Sequence, residues 1–145
     1  LSPRNRWSRN VADCEALCNA FVNGGSDQAM LVKACTFKAN KLKAISALED
    51  GFSTDEAALQ LLRSPKVSEF YRCIRGHSDV CIDGHAFCIH ANERLSLKEV
   101  PSITSKMRRA IKSDYLAAAE VVGVTGYQMQ AVTWLAWRRI HGVTR

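Results

Sequence analysis

The sequence predicts an all-α protein that forms a single compact domain of about seven to nine short helices over residues 1–145. Apolar residues recur at helical spacing between short polar turns, and no stretch alternates as a β-strand does. Glycine and proline are few, at 8 and 3 residues, whereas the helix-favouring Ala, Leu, Lys and Arg are plentiful. The hydrophobic content of 47% and charged content of 23% are those of a globular domain.

Short local signals predict the ends of these helices. Residues 23–26, Asn-Gly-Gly-Ser, end the first helix because adjacent glycines disfavour a helical backbone. Ser53, with Glu56 three residues later, predicts a capping box. Pro65 predicts a helix start because the first helical turn leaves its N–H groups unpaired. The predicted helices cover residues 7–22, 27–34, 38–49, 53–62, 64–74, 84–92, 102 or 105–122, and 127–140.

The apolar spacing also predicts which side chains are buried. Cys14 and Cys18 lie one helical turn apart among apolar residues, as core cysteines do. Trp134 and Trp137 are predicted to pack from the last helix into the protein core. The alternative is that they stack on nucleic-acid bases. The residues of helix 64–74 predicted to face the core are Val67, Phe70, Tyr71 and Ile74.

The basic residues predict a polyanionic partner. The net charge is +6 and the pI is near 9.2, and the cations concentrate towards the two ends of the chain. Such a distribution is typical of a surface that binds nucleic acid, although a charge run is also an ordinary solvated helix face. The predicted DNA-binding residues are Arg4, Arg6, Arg9, Arg63, Lys106, Arg108, Arg109 and Lys112.

The six cysteines do not form a recognisable metal or disulfide motif. No CxxC pair and no nucleotide or flavin motif is present, so we predict no metal and no cofactor. Free thiols favour a reduced, cytoplasmic protein, and no apolar run approaches the roughly 20 residues of a membrane span. The chain begins as though inside an element, so we expect further residues upstream. The alternative metal-ligand set is Cys81, His85, Cys88 and His90.

The segment Val80-Cys81-Ile82-Asp83-Gly84-His85-Ala86-Phe87 carries the most specific chemical signal. Its apolar start leads into Asp83, and a helix is predicted to follow directly. A carboxylate at that position accepts N–H bonds as an N-cap, and the positive helix end favours its ionised form. Asp83 is therefore predicted to be an anchored anion, which is either only an N-cap or a group that stabilises developing positive charge.

Four blocks of the sequence follow one another in the order of a known family. With them the chain resembles the helix-hairpin-helix (endonuclease III-like) DNA glycosylase superfamily, and most closely its reduced phage-encoded relatives. The family's glycine hairpin and four-cysteine iron–sulfur loop are missing, so the helical core is predicted without a well-formed glycine hairpin. The blocks are Leu1-Ser2-Pro3-Arg4, Lys41-Leu42-Lys43-Ala44-Ile45, Leu61-Leu62-Arg63-Ser64-Pro65-Lys66-Val67, and 80–87 with Arg94-Leu95 after it.

The resemblance implies a DNA glycosylase-like activity on a modified or damaged base in the cytoplasm of a bacterial host. Asp83 matches the catalytic carboxylate and Lys66 lies about where lyase members keep the amine that forms a Schiff base. His85 would support Asp83, and Arg4 would help to fill the gap left by a flipped base. Base modification instead of removal is an alternative, as is a catalytically inactive module that binds nucleic acid or a host protein.

Overall fold

The computed structural model describes residues 5–96 and 98–143. These residues contain seven α-helices and no β-strand. The all-α prediction is confirmed for these residues. Arg4, predicted to bind DNA, lies outside them. The helices are α1 (Trp7–Leu31), α2 (Lys38–Asp50), α3 (Asp55–Leu62), α4 (Pro65–Ile74), α5 (Gly84–Ala91), α6 (Ser105–Val122) and α7 (Gly126–Ile140).

The chain divides into two compact units, Leu1–Arg63 and Ser64–Arg145. The first unit contains α1 to α3, and the second contains α4 to α7. None of the helices in the described part of the chain is long and apolar enough to cross a lipid bilayer.

The first unit is built on the packing of α1 against α2. The core consists of Leu17, Ala29 and Ile45, each almost fully excluded from solvent. The predicted glycine break occurs as a kink inside α1, where Gly25 adopts a φ of 67° that favours glycine. The predicted second helix, 27–34, therefore continues α1 beyond the kink and ends at Leu31.

Lys41, on the neighbouring helix α2, caps the carbonyl groups at the C-terminal end of α1. Its Nζ donates to the carbonyl oxygens of Met30 and Val32, at 2.5 and 2.7 Å. The last carbonyls of a helix have no partner within that helix, and a cation is also favoured there by the helix dipole. The Lys41 block of the sequence thus has a structural role in the first unit.

The capping-box prediction at Ser53 is wrong by one residue. Thr54 is the N-cap of α3, and its Oγ1 accepts a hydrogen bond from the backbone N–H of Ala57 at 3.3 Å. Ser and Thr are both good N-caps, and the sequence places them side by side, so local pattern alone did not separate them. Pro65, in contrast, occupies the first position of α4 as predicted.

The second unit packs around the extended segment that precedes α5. Val80 and Ile82 are fully buried with Ala86, Ile111 and Tyr115 in one apolar cluster. Gly126, the first residue of α7, allows close contact with this segment. A Cβ at that position would lie 2.9 Å from the Asp79 carbonyl oxygen and 2.7 Å from a Leu116 methyl carbon.

Helix α4 presents to the core a different face from the one predicted. Val67, Phe70 and Ile74 are 44%, 45% and 63% exposed. Glu69 is buried instead, because its carboxylate is the acceptor for buried donors of the second unit. The prediction followed apolar spacing, which cannot detect a helix that buries a charged partner.

Other predictions of core packing also need correction. Trp134 and Trp137 are only half-buried on α7, and Val132, Leu135 and Ile140 beside them are exposed. In the first unit, Cys14 is exposed and Cys18 is half-buried, and all six cysteines carry free thiols.

Arg63, immediately after α3, adopts a left-handed conformation with a φ of 46°. A glycine takes this conformation without the steric cost of a Cβ. We expect Arg63→Gly to raise the free energy of unfolding by about 0.5–1 kcal/mol, measured by urea denaturation. Lys43→Gly, in the exposed interior of α2, is the control and should lower it by about 1 kcal/mol. A loss of stability in both variants would contradict the prediction.

Candidate active site

Asp83 is the N-cap of α5, as the sequence predicted. Its Oδ1 accepts hydrogen bonds from the backbone N–H groups of His85 and Ala86, both at 3.0 Å. These bonds fix one carboxylate oxygen at the positive end of the helix. The side chain remains 28% exposed.

Lys66 lies next to that second oxygen. Its Nζ is 3.9 Å from Asp83 Oδ2, and its side chain is 47% exposed. The two residues are separated by 17 positions in the sequence and by the turn between α4 and α5. The thiol of Cys81 also donates to the Lys66 carbonyl oxygen at 3.5 Å, which holds the start of α4 against the segment leading to Asp83. The structure therefore brings the two predicted catalytic groups together.

His85 supports Asp83 through its backbone rather than through its ring. The backbone N–H donates to Asp83, whereas the imidazole packs on the indole of Trp134 with ring centroids 4.1 Å apart and an interplanar angle of 40°. The Arg138 guanidinium carbon lies 5.8 Å from the centre of the same indole ring. An aromatic and cationic surface of α7 thus adjoins His85, two residues after Asp83.

In the described part of the chain, no strand lies beside the extended segment before Asp83. Side chains instead form hydrogen bonds with the backbone N–H and carbonyl groups of this segment. The Gln130 amide donates to the Cys81 carbonyl oxygen at 2.7 Å and accepts from the Cys81 N–H at 3.0 Å. Glu69 Oε2 accepts from the Ile82 N–H at 3.0 Å, and Arg108 donates to the Ile82 carbonyl oxygen at 2.9 Å. Buried backbone groups must be paired, so these side chains set the position of Asp83.

A buried ion-pair network continues from Glu69. Arg108 lies 2.5 Å from one Glu69 oxygen and Lys112 Nζ lies 3.3 Å from the other. Lys112 also contacts Asp79 at 2.7 Å, and Arg72 completes the group at 3.7 Å from Asp79. The side chains of Arg108 and Lys112 are 17% and 25% exposed, so both serve inside the protein and we leave them out of the proposed DNA interface.

Sequence reasoning did not identify Glu69, Asp79 or Gln130. Each acts on a partner distant in the sequence, such as the 49 residues between Gln130 and Cys81. Glu69 lies on the side of α4 opposite to its apolar residues, so the apolar pattern gave no signal that it is buried.

The remaining predicted DNA-binding residues are distributed over both units. Lys106 and Arg109 are exposed on the first turns of α6 in the second unit. The first unit contains Arg6, Arg9 and Arg63. Arg9 is paired with the buried Asp13 at 2.8 Å, and the guanidinium of Arg63 donates to the Gln60 carbonyl oxygen at 3.0 Å.

Burial disfavours the thiolate form of Cys81 and Cys73 in the second unit. Burial, reinforced by the Asp83 carboxylate, raises the pKa of Cys81 to about 12. Burial likewise raises the pKa of Cys73 to about 11, with Asp79 adding to the shift. The thiolate is the reactive form of cysteine, so these raised pKa values disfavour nucleophilic chemistry by Cys81 and Cys73. Within residues 5–96 and 98–143, no three His, Cys, Asp or Glu side chains converge as metal ligands.

Comparison with known protein families gives a match over most of the chain. The model of a family of unknown function, DUF7178, matches residues 1–141. The chain belongs to this family. Neither a curated protein nor a solved structure matches the sequence. The DUF7178 match spans both units and includes Lys66, Asp83 and Trp134.

Proposed function

We propose that this protein is a DNA glycosylase of a reduced, phage-encoded type, which acts on a modified or damaged base through Asp83 and Lys66. The observation that carries the proposal is the 3.9 Å contact between Lys66 Nζ and Asp83 Oδ2, in which the carboxylate is fixed by two backbone N–H groups. An oriented carboxylate can stabilise the charge that develops when a base is cleaved from its sugar, and an amine beside it can act as a nucleophile; both groups are partly exposed.

Asp83 supports the first step electrostatically. Breaking the C1′–N bond develops positive charge on the sugar, which a carboxylate held nearby stabilises. In a hydrolytic route, a water oxygen bonds to C1′ while its proton passes to Asp83. The electron pair of the C1′–N bond goes to the base, which takes up a proton from solvent.

Lys66 supports a second route through a covalent intermediate. After passing a proton to Asp83, its amine bonds to C1′ and the base leaves with the C1′–N electron pair and a proton from solvent. The attached nitrogen then loses a proton to water and its lone pair forms the C1′=N bond. The sugar O4′ leaves with the C1′–O4′ pair and takes the proton from Asp83, which gives a protonated imine.

Borohydride trapping tests this route, because hydride adds to the imine carbon and makes the link to DNA permanent. We expect wild-type protein to be trapped on labelled DNA carrying an abasic, uracil, oxidised or hydroxymethylated site. Lys66→Ala should reduce the trapped product by at least about 100-fold, because no amine remains beside Asp83.

The matched control is Lys98→Ala, an exposed lysine of the same unit, which should be trapped as wild type. Equal trapping of Lys66→Ala and wild type would exclude Lys66 as the nucleophile. DNA binding without base release or trapping on any substrate would overturn the proposed function and leave a binding module.

A further inference from the structure

One side of α7 carries a continuous strip of aromatic and cationic groups that begins beside Asp83. Trp134 and Arg138 lie four residues apart on one face of α7, about 6 Å along its axis, and Gly142 follows just beyond the end of the helix. His85 packs on Trp134 at the Asp83 end of this face, and the residue is exposed. We call these residues, together with the depression described next, the α7 strip.

A solvent-open depression of about 390 Å³ forms the other end of the α7 strip. Arg138 is held across it, since its Nε donates to the carbonyl oxygen of Val143 at 3.2 Å. Arg139 is exposed at its edge. The residues lining the depression are Leu135, Arg138, Arg139, Gly142 and Val143.

The charged side chains that α7 itself contributes to the α7 strip are both cationic. The sequence contains no Asp or Glu after Glu120, and Arg138 and Arg139 lie next to each other on α7. A depression lined by two arginines and by the apolar Leu135 and Val143 suits a phosphate that carries an apolar neighbour. The aromatic end, with His85 exposed, suits a flat ring system.

We infer that the α7 strip binds a short run of unpaired nucleotides in single-stranded DNA, with a base on the His85–Trp134 pair and phosphate on Arg138 and Arg139. Only an unpaired base can offer its face to a protein ring, because paired bases are stacked within the duplex. The inference rests on the proposed function in one respect: the α7 strip leads to the Lys66–Asp83 pair and so defines the form of DNA that enters.

Fluorescence anisotropy with a labelled oligothymidylate and with a duplex of the same length tests the inference. We expect the single strand to bind at least about tenfold more tightly than the duplex at equal salt. Trp134→Leu keeps an apolar side chain but removes the ring, and should weaken single-strand binding about tenfold. Arg139→Gln, at an exposed position that folding does not require, should weaken it several-fold.

Two substitutions in the first unit serve as matched controls. Trp7→Leu removes an indole that is 65% exposed, and Lys43→Gln removes an exposed cation of α2. Both should bind the single strand as wild type does. Equal affinity for single strand and duplex, or unchanged affinity in both Trp134→Leu and Arg139→Gln, would overturn the inference.

The binding test separates this inference from the proposed function. Trp134-dependent binding of single strands, without base release on any substrate, would support the inference and overturn the proposed function. Base release by a protein whose single-strand affinity is unchanged in both Trp134→Leu and Arg139→Gln would support the proposed function and overturn the inference.

Discussion

Glu69→Ala is expected to destabilise the protein by about 3–5 kcal/mol, the largest effect of any single substitution considered for the second unit. The carboxylate is 4% exposed, accepts from the Ile82 N–H and contacts both Arg108 and Lys112. Its removal leaves a buried N–H without an acceptor and two largely buried cations without this partner. Urea denaturation followed by circular dichroism measures the loss.

Two further variants make the Glu69 result interpretable. Glu69→Gln keeps an oxygen that can accept from Ile82 but removes the charge, so its cost should lie between those of wild type and alanine. Glu93→Ala removes an exposed carboxylate just after α5 and should change stability little. A Glu69→Ala protein as stable as Glu93→Ala would show that the ion-pair network is dispensable.

Asp83→Asn is expected to lower the rate of base release by about 100- to 1,000-fold while leaving the protein folded. Asparagine can still accept from the N–H groups of His85 and Ala86, and it caps helices about as well as aspartate does. The substitution therefore removes the negative charge from the site without removing the cap. Single-turnover base release and the urea midpoint, measured on the same preparation, separate the two effects.

Asp83→Ala provides the comparison, since it removes both the charge and the cap. It should lose activity to the same degree and, in addition, about 1 kcal/mol of stability. Full activity in Asp83→Asn would mean that the carboxylate is only an N-cap, which was the simpler interpretation of its position in the sequence.

The sequence was informative where structure depends on neighbouring residues. Pro65 at the start of α4, the glycine kink in α1 and the cap at Asp83 are all decided within one or two turns of chain. The contact of Lys66 with Asp83 was expected only from a family resemblance, because spacing alone does not determine how two helices meet.

The sequence failed where burial depends on a distant partner. The inward face of α4 is set by Glu69, whose partners Ile82 and Arg108 lie 13 and 39 residues away. Gln130 similarly forms hydrogen bonds to the backbone of Cys81, and the sequence of α7 gives no sign of this contact. Apolar periodicity assumes that each side chain follows the average burial of its residue type. It therefore cannot identify a carboxylate that is buried because it is paired.

The hydrogen bonds between side chains and the segment before Asp83 restrict the motion of that segment. Its backbone is bonded to Glu69 on α4, Arg108 on α6 and Gln130 on α7, so freeing it would require breaking its bonds to all three helices. The Asp83 carboxylate therefore sits on a rigid segment, and local unfolding of this segment costs free energy. A variant that loses one of these side chains is therefore expected to shift Asp83 relative to Lys66.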